Sequence, residues 1–151
     1  MKTILDCDPG IDDALAITLA LKADIDLCGI IAGYGNSSAL NSVINVKRVL
    51  RLLDREDIPV VMGQHLPSRC KYLVDAGYVH GLDGLGNTKL PYDPKFDERN
   101  AREMIEDISG DEKIKMIVTG PLTNQYYLYK EKPSLISKID ELVIMGAAVN
   151  E

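Results

Sequence analysis

The sequence has few cysteines and no cluster of basic residues. Its three cysteines, Cys7, Cys28 and Cys70, are odd in number and show no paired spacing. That pattern excludes a disulfide framework or a clear zinc site, and it fits a reducing compartment. The net charge is −6, with no Lys/Arg cluster. This argues against a nucleic-acid partner, because binding a polyanion needs a basic face.

The sequence also lacks a long apolar run. Its most apolar helical stretch, Ala14 to Leu21, is far too short to span a bilayer. Met1 and Lys2 lead directly into an apolar run, so we expect no signal peptide, no membrane partner and a cytoplasmic location. What is present, 46% hydrophobic and 26% charged residues, is typical of one soluble globular domain over residues 1–151.

Short apolar runs alternate along the chain with stretches of helical periodicity. The runs predict strands at Lys2–Asp6, Asp26–Ala32, Pro59–Gly63, Ile114–Thr119 and Glu141–Met145. The periodic stretches predict helices at Asp12–Lys22, Ala39–Leu53, Asp97–Ile108 and Leu122–Tyr129. Alternation of nearly continuous apolar strands with helices is typical of βαβ units. We therefore expect an α/β fold, a Rossmann-like open and mostly parallel sheet with helices on both faces.

Two regions do not complete this pattern. The segment 64–95 is rich in Gly, Pro, Asp and Tyr and gives no clear element; connections of that length are usually functional. The apolar run Leu142–Met145 lies close to the last residue, where a doubly wound sheet would normally continue. We interpret the chain as truncated and expect an exposed apolar sheet edge.

Four carboxylates lie within eight positions at a strand end, a Pro-Gly turn and a helix start: Asp6, Asp8, Asp12 and Asp13. No Lys or Arg occurs between residues 3 and 21. Two carboxylates ~5 Å apart repel by roughly 3 kcal/mol at an effective dielectric constant of 20. Such a cluster therefore needs a cation or shifted pKa values. Oxygen ligands without His or Cys favour Ca²⁺ or Mg²⁺.

Other interpretations of this segment are weaker or remain open. Asp12 and Asp13 can simply stabilise a first helical turn through the helix dipole. An EF-hand loop fails because Gly10 stands where an acidic or amide residue is required. Carboxylates here would repel the pyrophosphate of a dinucleotide. A haloacid-dehalogenase-type phosphatase, with its Asp-x-Asp after the first strand, stays open, although that family does not call for the pair at Asp12 and Asp13.

The segment from Asp6 to Ala14, Asp-Cys-Asp-Pro-Gly-Ile-Asp-Asp-Ala, closely resembles the amino-terminal signature of the inosine-uridine preferring nucleoside hydrolase family. Further motifs follow in the family's order, at Tyr34-Gly35-Asn36, Val79-His80-Gly81, Gly84-Leu85-Gly86, Val118–Asn124 and Val143–Gly146. Together the motifs cover nearly the whole chain. The resemblance implies calcium-dependent hydrolysis of the N-glycosidic bond of a ribonucleoside, which gives ribose and free base.

The resemblance also implies roles at the metal. Asp8 would bind the calcium-held water and act as general base, and Asp13 would be a calcium ligand. Thr119 would offer its backbone carbonyl to the ion, with Asp6 lying behind these ligands. From the residues alone, Thr119 is equally a strand exit leading into a helix.

For the substrate, the resemblance implies that Asp12 and Asn36 bind the ribose hydroxyls and that His80 lines the nucleobase side. On the residues alone, Asn36 can cap the following helix, and a lone histidine is commonly a surface residue. Members of the family are commonly homo-oligomers, and their second half supplies further calcium and ribose contacts. A non-catalytic remnant that binds an ion or a partner is therefore the second hypothesis.

Overall fold

The computed structural model describes residues 1–68 and 76–146, so Cys70 lies outside the described residues. Five strands form one parallel sheet in the order β3-β2-β1-β4-β5. The strands are β1 (Thr3–Cys7), β2 (Leu27–Ala32), β3 (Val60–Met62), β4 (Ile114–Val118) and β5 (Ile139–Ile144). The helices are α1 (Ile11–Lys22), α2 (Ala39–Leu52), α3 (Gly77–His80), α4 (Ala101–Ser109), α5 (Thr123–Glu131) and α6 (Pro133–Ile136). The predicted α/β fold with a parallel sheet is confirmed.

Side chains of β1 alternate between two buried layers, as expected for a strand with a two-residue repeat. Leu5 and Cys7 pack with Ile17 of α1 and with α2, whereas Ile4 packs with Met104 of α4 and with α5. Helices therefore cover both faces of the sheet. This double cover explains why the strand sequences are apolar almost throughout.

Several predicted boundaries were wrong, each for a local reason. The helix predicted from Asp97 begins at Ala101, because Asp97 accepts a hydrogen bond from the Arg99 backbone N–H (3.0 Å) in a turn. Asn100 and Glu103 then form a reciprocal capping box at the true start. Strand β5 begins two residues earlier than predicted, and the short helices α3 and α6 were not predicted.

Backbone pairing continues beyond the carboxyl ends of the strands. The Gly33 N–H donates to the carbonyl of Cys7 (2.9 Å), and the Thr119 N–H donates to the carbonyl of Asp6 (2.8 Å). The chain leaves β1 toward β2 on one side, while β4 lies on the other side. The exits of β1 and β4 thus form the topological switch point of the sheet, where ligands bind in open α/β folds.

The outermost strand, β5, is exposed along most of its length. Its apolar residues Leu142, Val143 and Ile144 remain accessible to solvent, as does Met145 after the strand. The expected apolar edge is therefore present. Among the helices of the described ranges, none is both long and apolar enough to cross a bilayer.

Candidate functional site

Asp13 lies at the switch point, in the first turn of α1, and uses both carboxylate oxygens. Its Oδ2 accepts the Gly10 N–H (3.3 Å), and its Oδ1 accepts the Thr119 hydroxyl (2.7 Å). Asp13 is buried, whereas an Asp that only stabilises a helix end is usually solvated. Stabilisation of the first turn of α1 explains only the bond between Oδ2 and the Gly10 N–H. The bond between Oδ1 and Thr119 connects α1 to the end of β4.

Asp8 follows β1 and is buried against the loop that follows β2. The Asn36 backbone N–H donates to Asp8 Oδ2 (2.9 Å), and the Asn36 side chain donates to the Asp8 carbonyl (3.1 Å). Helix α2 is capped by Ser38, whose hydroxyl accepts the Asn41 N–H (3.2 Å). The alternative in which Asn36 serves as the helix cap is therefore wrong.

Two glycines make room for the Asp8 carboxylate, and sequence reasoning did not single them out. A methyl group at Gly35 would overlap the Asp8 side chain. A methyl group at Gly120 would lie 3.0 Å from the Asp8 nitrogen and 3.1 Å from Asp8 Oδ1. Their position beside Asn36 and Thr119 in the quoted motifs was the available signal. The contact of both glycines with Asp8 is visible only in the folded structure.

The three predicted substrate-binding residues meet around Gly10. A Cβ atom at Gly10 would lie 2.7 Å from Asp12 Oδ1, 2.8 Å from Asn36 Nδ2 and 2.8 Å from His80 Cε1. His80 Nδ1 accepts the Ile11 N–H (3.2 Å) and lies 3.9 Å from Asp12 Oδ1. The structure thus places His80 at the start of α1, although 69 positions separate it from Ile11 in sequence.

Asp6 lies apart from this group, because its side chain points to the opposite face of the sheet. Its Oδ1 accepts the Asn124 side chain (3.0 Å) and its Oδ2 accepts Gln125 Nε2 (2.5 Å). Asn124 in turn accepts the Gln64 N–H (2.8 Å). The Asp6 carboxylate therefore fastens α5 to the sheet, while its backbone carbonyl holds Thr119.

Burial controls the charge of these carboxyl groups. Burial raises the pKa of Asp8 to about 7, and the nearby Asp13 carboxylate adds to the rise. Burial also raises the pKa of Asp6 to about 7, although hydrogen bonds from Gln125 and Asn124 lower it. The pKa of Asp13 is raised by burial too, against the hydrogen bond from Thr119. Among the described residues, no Lys or Arg is a main cause of these shifts, although His80 lowers the pKa of Asp13.

The metal-free protein is expected to lose stability as the pH rises through the range set by Asp6. In the unfolded chain this carboxyl ionises near 3.8, whereas in the fold it keeps its proton up to about 7. Between these values the folded state binds more protons, so stability falls with rising pH. Full ionisation of a carboxyl group whose pKa is shifted this far destabilises the folded state by roughly 4 kcal/mol.

Asp6→Asn should reduce the pH-dependent fall in the free energy of unfolding by about 2–4 kcal/mol, since the amide carries no charge. The Gln125 amide can rotate to accept from Asn, because its Oε1 has no hydrogen-bond partner within the described ranges. Urea unfolding in EDTA near pH 5 and near pH 8 measures the difference. Asp111→Asn, which changes an exposed carboxylate, is the control. If both variants lost the same free energy of unfolding between pH 5 and pH 8, the pH dependence would not come from Asp6.

The described residues do not contain a preformed metal cluster. In residues 1–68 and 76–146, no three His, Cys, Asp or Glu side chains are placed to hold an ion. Asp13 nevertheless lies close enough to raise the pKa of Asp8. Both carboxylates are buried, and within the described part of the chain neither forms an ion pair with Lys or Arg. Uncompensated buried carboxylates and oxygen-only donors fit a hard divalent cation.

A buried polar network connects this site to the loop that follows α3. Asn45 of α2 is fully buried and donates to the carbonyls of Pro9 (3.4 Å) and Asp83 (2.7 Å). Arg48 donates to Asn45 Oδ1 (3.1 Å) and to Asp83 Oδ2 (3.2 Å). The network holds the loop just beyond His80 against the β1–α1 turn. An Asn within the apolar face of α2 was the sequence signal for it.

Asn45→Ala is expected to destabilise the fold by about 2–3 kcal/mol, because a buried carbonyl and a partly buried carbonyl lose their donor. It should also release His80, whose Nδ1 is now held as an acceptor by Ile11. Two-dimensional ¹H–¹⁵N spectra of the imidazole report the change from a single Nε2–H tautomer to a mixture. Asn41→Ala on the same helix is the control. An unchanged His80 tautomer in Asn45→Ala would show that the network does not position the histidine.

Comparison with known proteins assigns this arrangement to a family. The family model described as inosine-uridine preferring nucleoside hydrolase matches residues 3–151. The chain belongs to this family. This family assignment favours the nucleoside hydrolase interpretation of the sequence over a haloacid-dehalogenase-type phosphatase.

Curated relatives in this nucleoside hydrolase family extend the match. The chain is 41% identical over 154 residues to the pyrimidine-specific ribonucleoside hydrolase RihA of Escherichia coli O1:K1, covering 99% of the chain and 49% of that protein. A Klebsiella pneumoniae protein of the same description is 38% identical, with the same coverage. The chain thus spans about half the length of these relatives and corresponds to their amino-terminal half.

Solved structures of nucleoside hydrolases share the fold. A purine-preferring ribonucleoside hydrolase from Gardnerella vaginalis superposes with a TM-score of 0.91 at 30% identity, covering 98% of this chain and 49% of that one. A plant nucleoside hydrolase superposes with a TM-score of 0.87 at 35% identity, covering 97% of this chain and 48% of that one. Both matches cover nearly all of this chain.

Proposed function

We propose that this chain carries the metal and ribose half of a calcium-dependent nucleoside hydrolase site, which cleaves the N-glycosidic bond of ribonucleosides. One observation carries the proposal. Two buried carboxylates, Asp8 and Asp13, lie at the switch point next to the polar group around Gly10, and no Lys or Arg of residues 1–68 and 76–146 forms an ion pair with either. An anionic pair of this kind suits a cation, and the adjoining polar group suits the hydroxyls of a sugar.

The residues present would hold calcium through the carboxylates of Asp8 and Asp13 and the backbone carbonyl of Thr119. Calcium takes oxygen ligands in flexible numbers, so carboxylate and carbonyl donors match it chemically. When bound, the ion orients a water molecule and lowers its pKa. The existing hydrogen bond from Thr119 to Asp13 keeps the two elements that carry these donors together.

Asp8 is the residue we propose as general base. Its Oδ2 accepts the Asn36 N–H, and we propose that its Oδ1 takes the proton from water. In the absence of an ion, burial raises the pKa of Asp8 to about 7. A bound calcium ion would lower this pKa, so the carboxylate would be ionised and able to accept a proton. A carboxylate beside the sugar also favours the positive charge that develops on the ribose during glycosidic cleavage.

Asp12 and Asn36 are proposed to bind the ribose hydroxyls, and His80 to line the nucleobase side. The proximity of these three side chains around Gly10 supports one shared substrate surface. Because His80 Nδ1 already accepts the Ile11 N–H, its Nε2 is the ring nitrogen that can contact the nucleobase of the substrate. The relatives include pyrimidine-specific and purine-preferring enzymes, so both substrate classes need testing.

Ribose release from inosine and uridine, with calcium and with EDTA, tests the proposal together with calorimetric titration of calcium. We expect calcium binding and ribose release that EDTA abolishes. Calcium binding without ribose release would favour a non-catalytic ion-binding protein. That alternative has support in the coverage, because the chain spans about half the length of the curated relatives that it matches. The absence of both signals would contradict the proposal.

A further inference from the structure

A buried pair of hydroxyl groups joins the two loops that lie on either side of Asp8. The hydroxyl oxygens of Tyr34 and Thr123 are 2.7 Å apart, and both side chains are buried. Tyr34 follows β2, whereas Thr123 is the first residue of α5, 89 positions further along the chain. Because a hydroxyl group can both donate and accept, each group satisfies the other away from water. Both residues occur in the motifs quoted from the sequence, but neither has yet been given a role.

The two loops also provide the surroundings of the Asp8 carboxylate. In the β2–α2 loop (residues 33–38), Gly35 leaves room for the carboxylate, and the Asn36 N–H donates to its Oδ2 (2.9 Å). In the β4–α5 loop (residues 119–122), Gly120 lies against Asp8, and Thr119 carries the carbonyl proposed as a calcium ligand. A change in the separation of the loops would therefore change the space and the hydrogen bonds available to Asp8.

The hydroxyl pair is a direct connection that the backbone does not duplicate. Backbone bonds hold the β2–α2 loop to other strand ends: the Gly33 N–H donates to the Cys7 carbonyl (2.9 Å), and the Tyr34 N–H donates to the Gln64 carbonyl (3.1 Å). Within residues 1–68 and 76–146, no other hydrogen bond runs directly from residues 33–38 to residues 119–123. The separation of the two loops thus depends on this side-chain pair.

We propose that Tyr34 and Thr123 are positioning residues, whose hydrogen bond sets the separation of the two loops around Asp8. Without the bond, the β2–α2 loop can move away from α5 and take the Asn36 N–H with it. Asp8 would then lose a contact that orients its carboxylate. The consequence for calcium rests on the proposed function, whereas the consequence for the Asn36 N–H can be measured without any metal.

Amide hydrogen exchange in EDTA tests the positioning directly. Tyr34→Phe should make the Asn36 N–H exchange roughly tenfold faster, because its bond to Asp8 opens more often. The variant also loses some overall stability, since a buried hydroxyl is left without its partner. The Ile30 N–H, which donates to the Pro59 carbonyl within the sheet (3.0 Å), reports that general loss and should accelerate less. Equal acceleration of both amides would overturn the proposal.

Substitutions of Thr123 show whether the hydrogen bond itself is responsible. Thr123→Val removes the hydroxyl and should reproduce the effect of Tyr34→Phe, whereas Thr123→Ser keeps the hydroxyl and should behave like the unchanged chain. The double variant should be no worse than the more affected single variant, because both remove one bond. Tyr129→Phe is the matched control, since it removes an exposed tyrosine hydroxyl from α5. If Thr123→Ser behaved like Thr123→Val, packing rather than the bond would position the loops, and the proposal would be wrong.

Calorimetric titration then measures the effect on the ion. Tyr34→Phe should weaken calcium binding roughly tenfold, as the loss of contacts behind metal ligands does elsewhere. Loss of stability alone would leave the affinity unchanged at a temperature where the variant stays folded, which thermal unfolding verifies. Unchanged calcium affinity would overturn the role of Tyr34 as a positioning residue. If the unchanged chain bound no calcium, the proposed function would fail, and the exchange of the Asn36 N–H would still decide this inference.

Discussion

Asp8→Asn is expected to lower ribose release from inosine or uridine by roughly 100-fold or more, the usual cost of losing a general base. Asparagine preserves the shape of the side chain but cannot take a proton from water. It should also weaken calcium binding, because a neutral amide replaces one of the two buried carboxylates at the switch point. Reducing-sugar assays and calorimetric titration measure the two effects separately.

The control for this substitution is Asp54→Asn. Asp54 is exposed and has a φ of 53°, a backbone conformation that asparagine also tolerates. Its ribose release and calcium affinity should match those of the unchanged chain. If Asp8→Asn retained full hydrolysis, the proton acceptor would have to be another group, and the role assigned to Asp8 would be wrong.

Gly35→Ala should be nearly as damaging, although it changes no functional group. The new methyl group would overlap the carboxylate of Asp8, which would then have to rotate away and lose its bond from Asn36. Displacing a metal ligand in this way is expected to lower calcium affinity roughly 10- to 100-fold, as loss of ligand-orienting contacts does elsewhere. Ribose release should fall in parallel.

Gly146→Ala is the control, because it tests whether any replacement of glycine by alanine impairs the protein. A methyl at Gly146 would lie 3.6 Å from Ile144 Cγ2, an ordinary contact. Thermal unfolding should show both variants folded, with only Gly35→Ala impaired in calcium titration. Normal calcium affinity in Gly35→Ala would mean that Asp8 can leave its observed position without consequence for the ion.

The core of the fold was predictable because its strands are short and apolar and alternate with stretches of helical periodicity. Helix α2 begins at Ala39 as predicted, since the serine before it caps the first turn. Helix α4 was harder, because Asp97 looks like a cap but forms a turn with Arg99. Strand β5 was predicted two residues short, since Asp140 is polar, exposed and unremarkable in sequence.

The candidate site was predictable in its acids but not in its packing. Aspartates after an apolar strand indicate a ligand site, because parallel strands bring their carboxyl ends together. The opposite directions of Asp6 and Asp8 follow from the strand alternation, yet the partners Asn124 and Gln125 come from a helix more than 110 residues away. Contacts between residues so far apart in sequence cannot be predicted from a local sequence pattern.

The hydrogen bonds that continue past the strand ends have a consequence for ion choice. Cys7, Asp6 and Ala32 each hold the loop of a neighbouring strand through a backbone carbonyl. A frame fastened by main-chain bonds resists contraction. Magnesium needs oxygen atoms at about 2.0–2.1 Å, whereas calcium accepts about 2.3–2.6 Å. We therefore expect loops held in this way to favour calcium over magnesium, which needs a closer approach of its ligands.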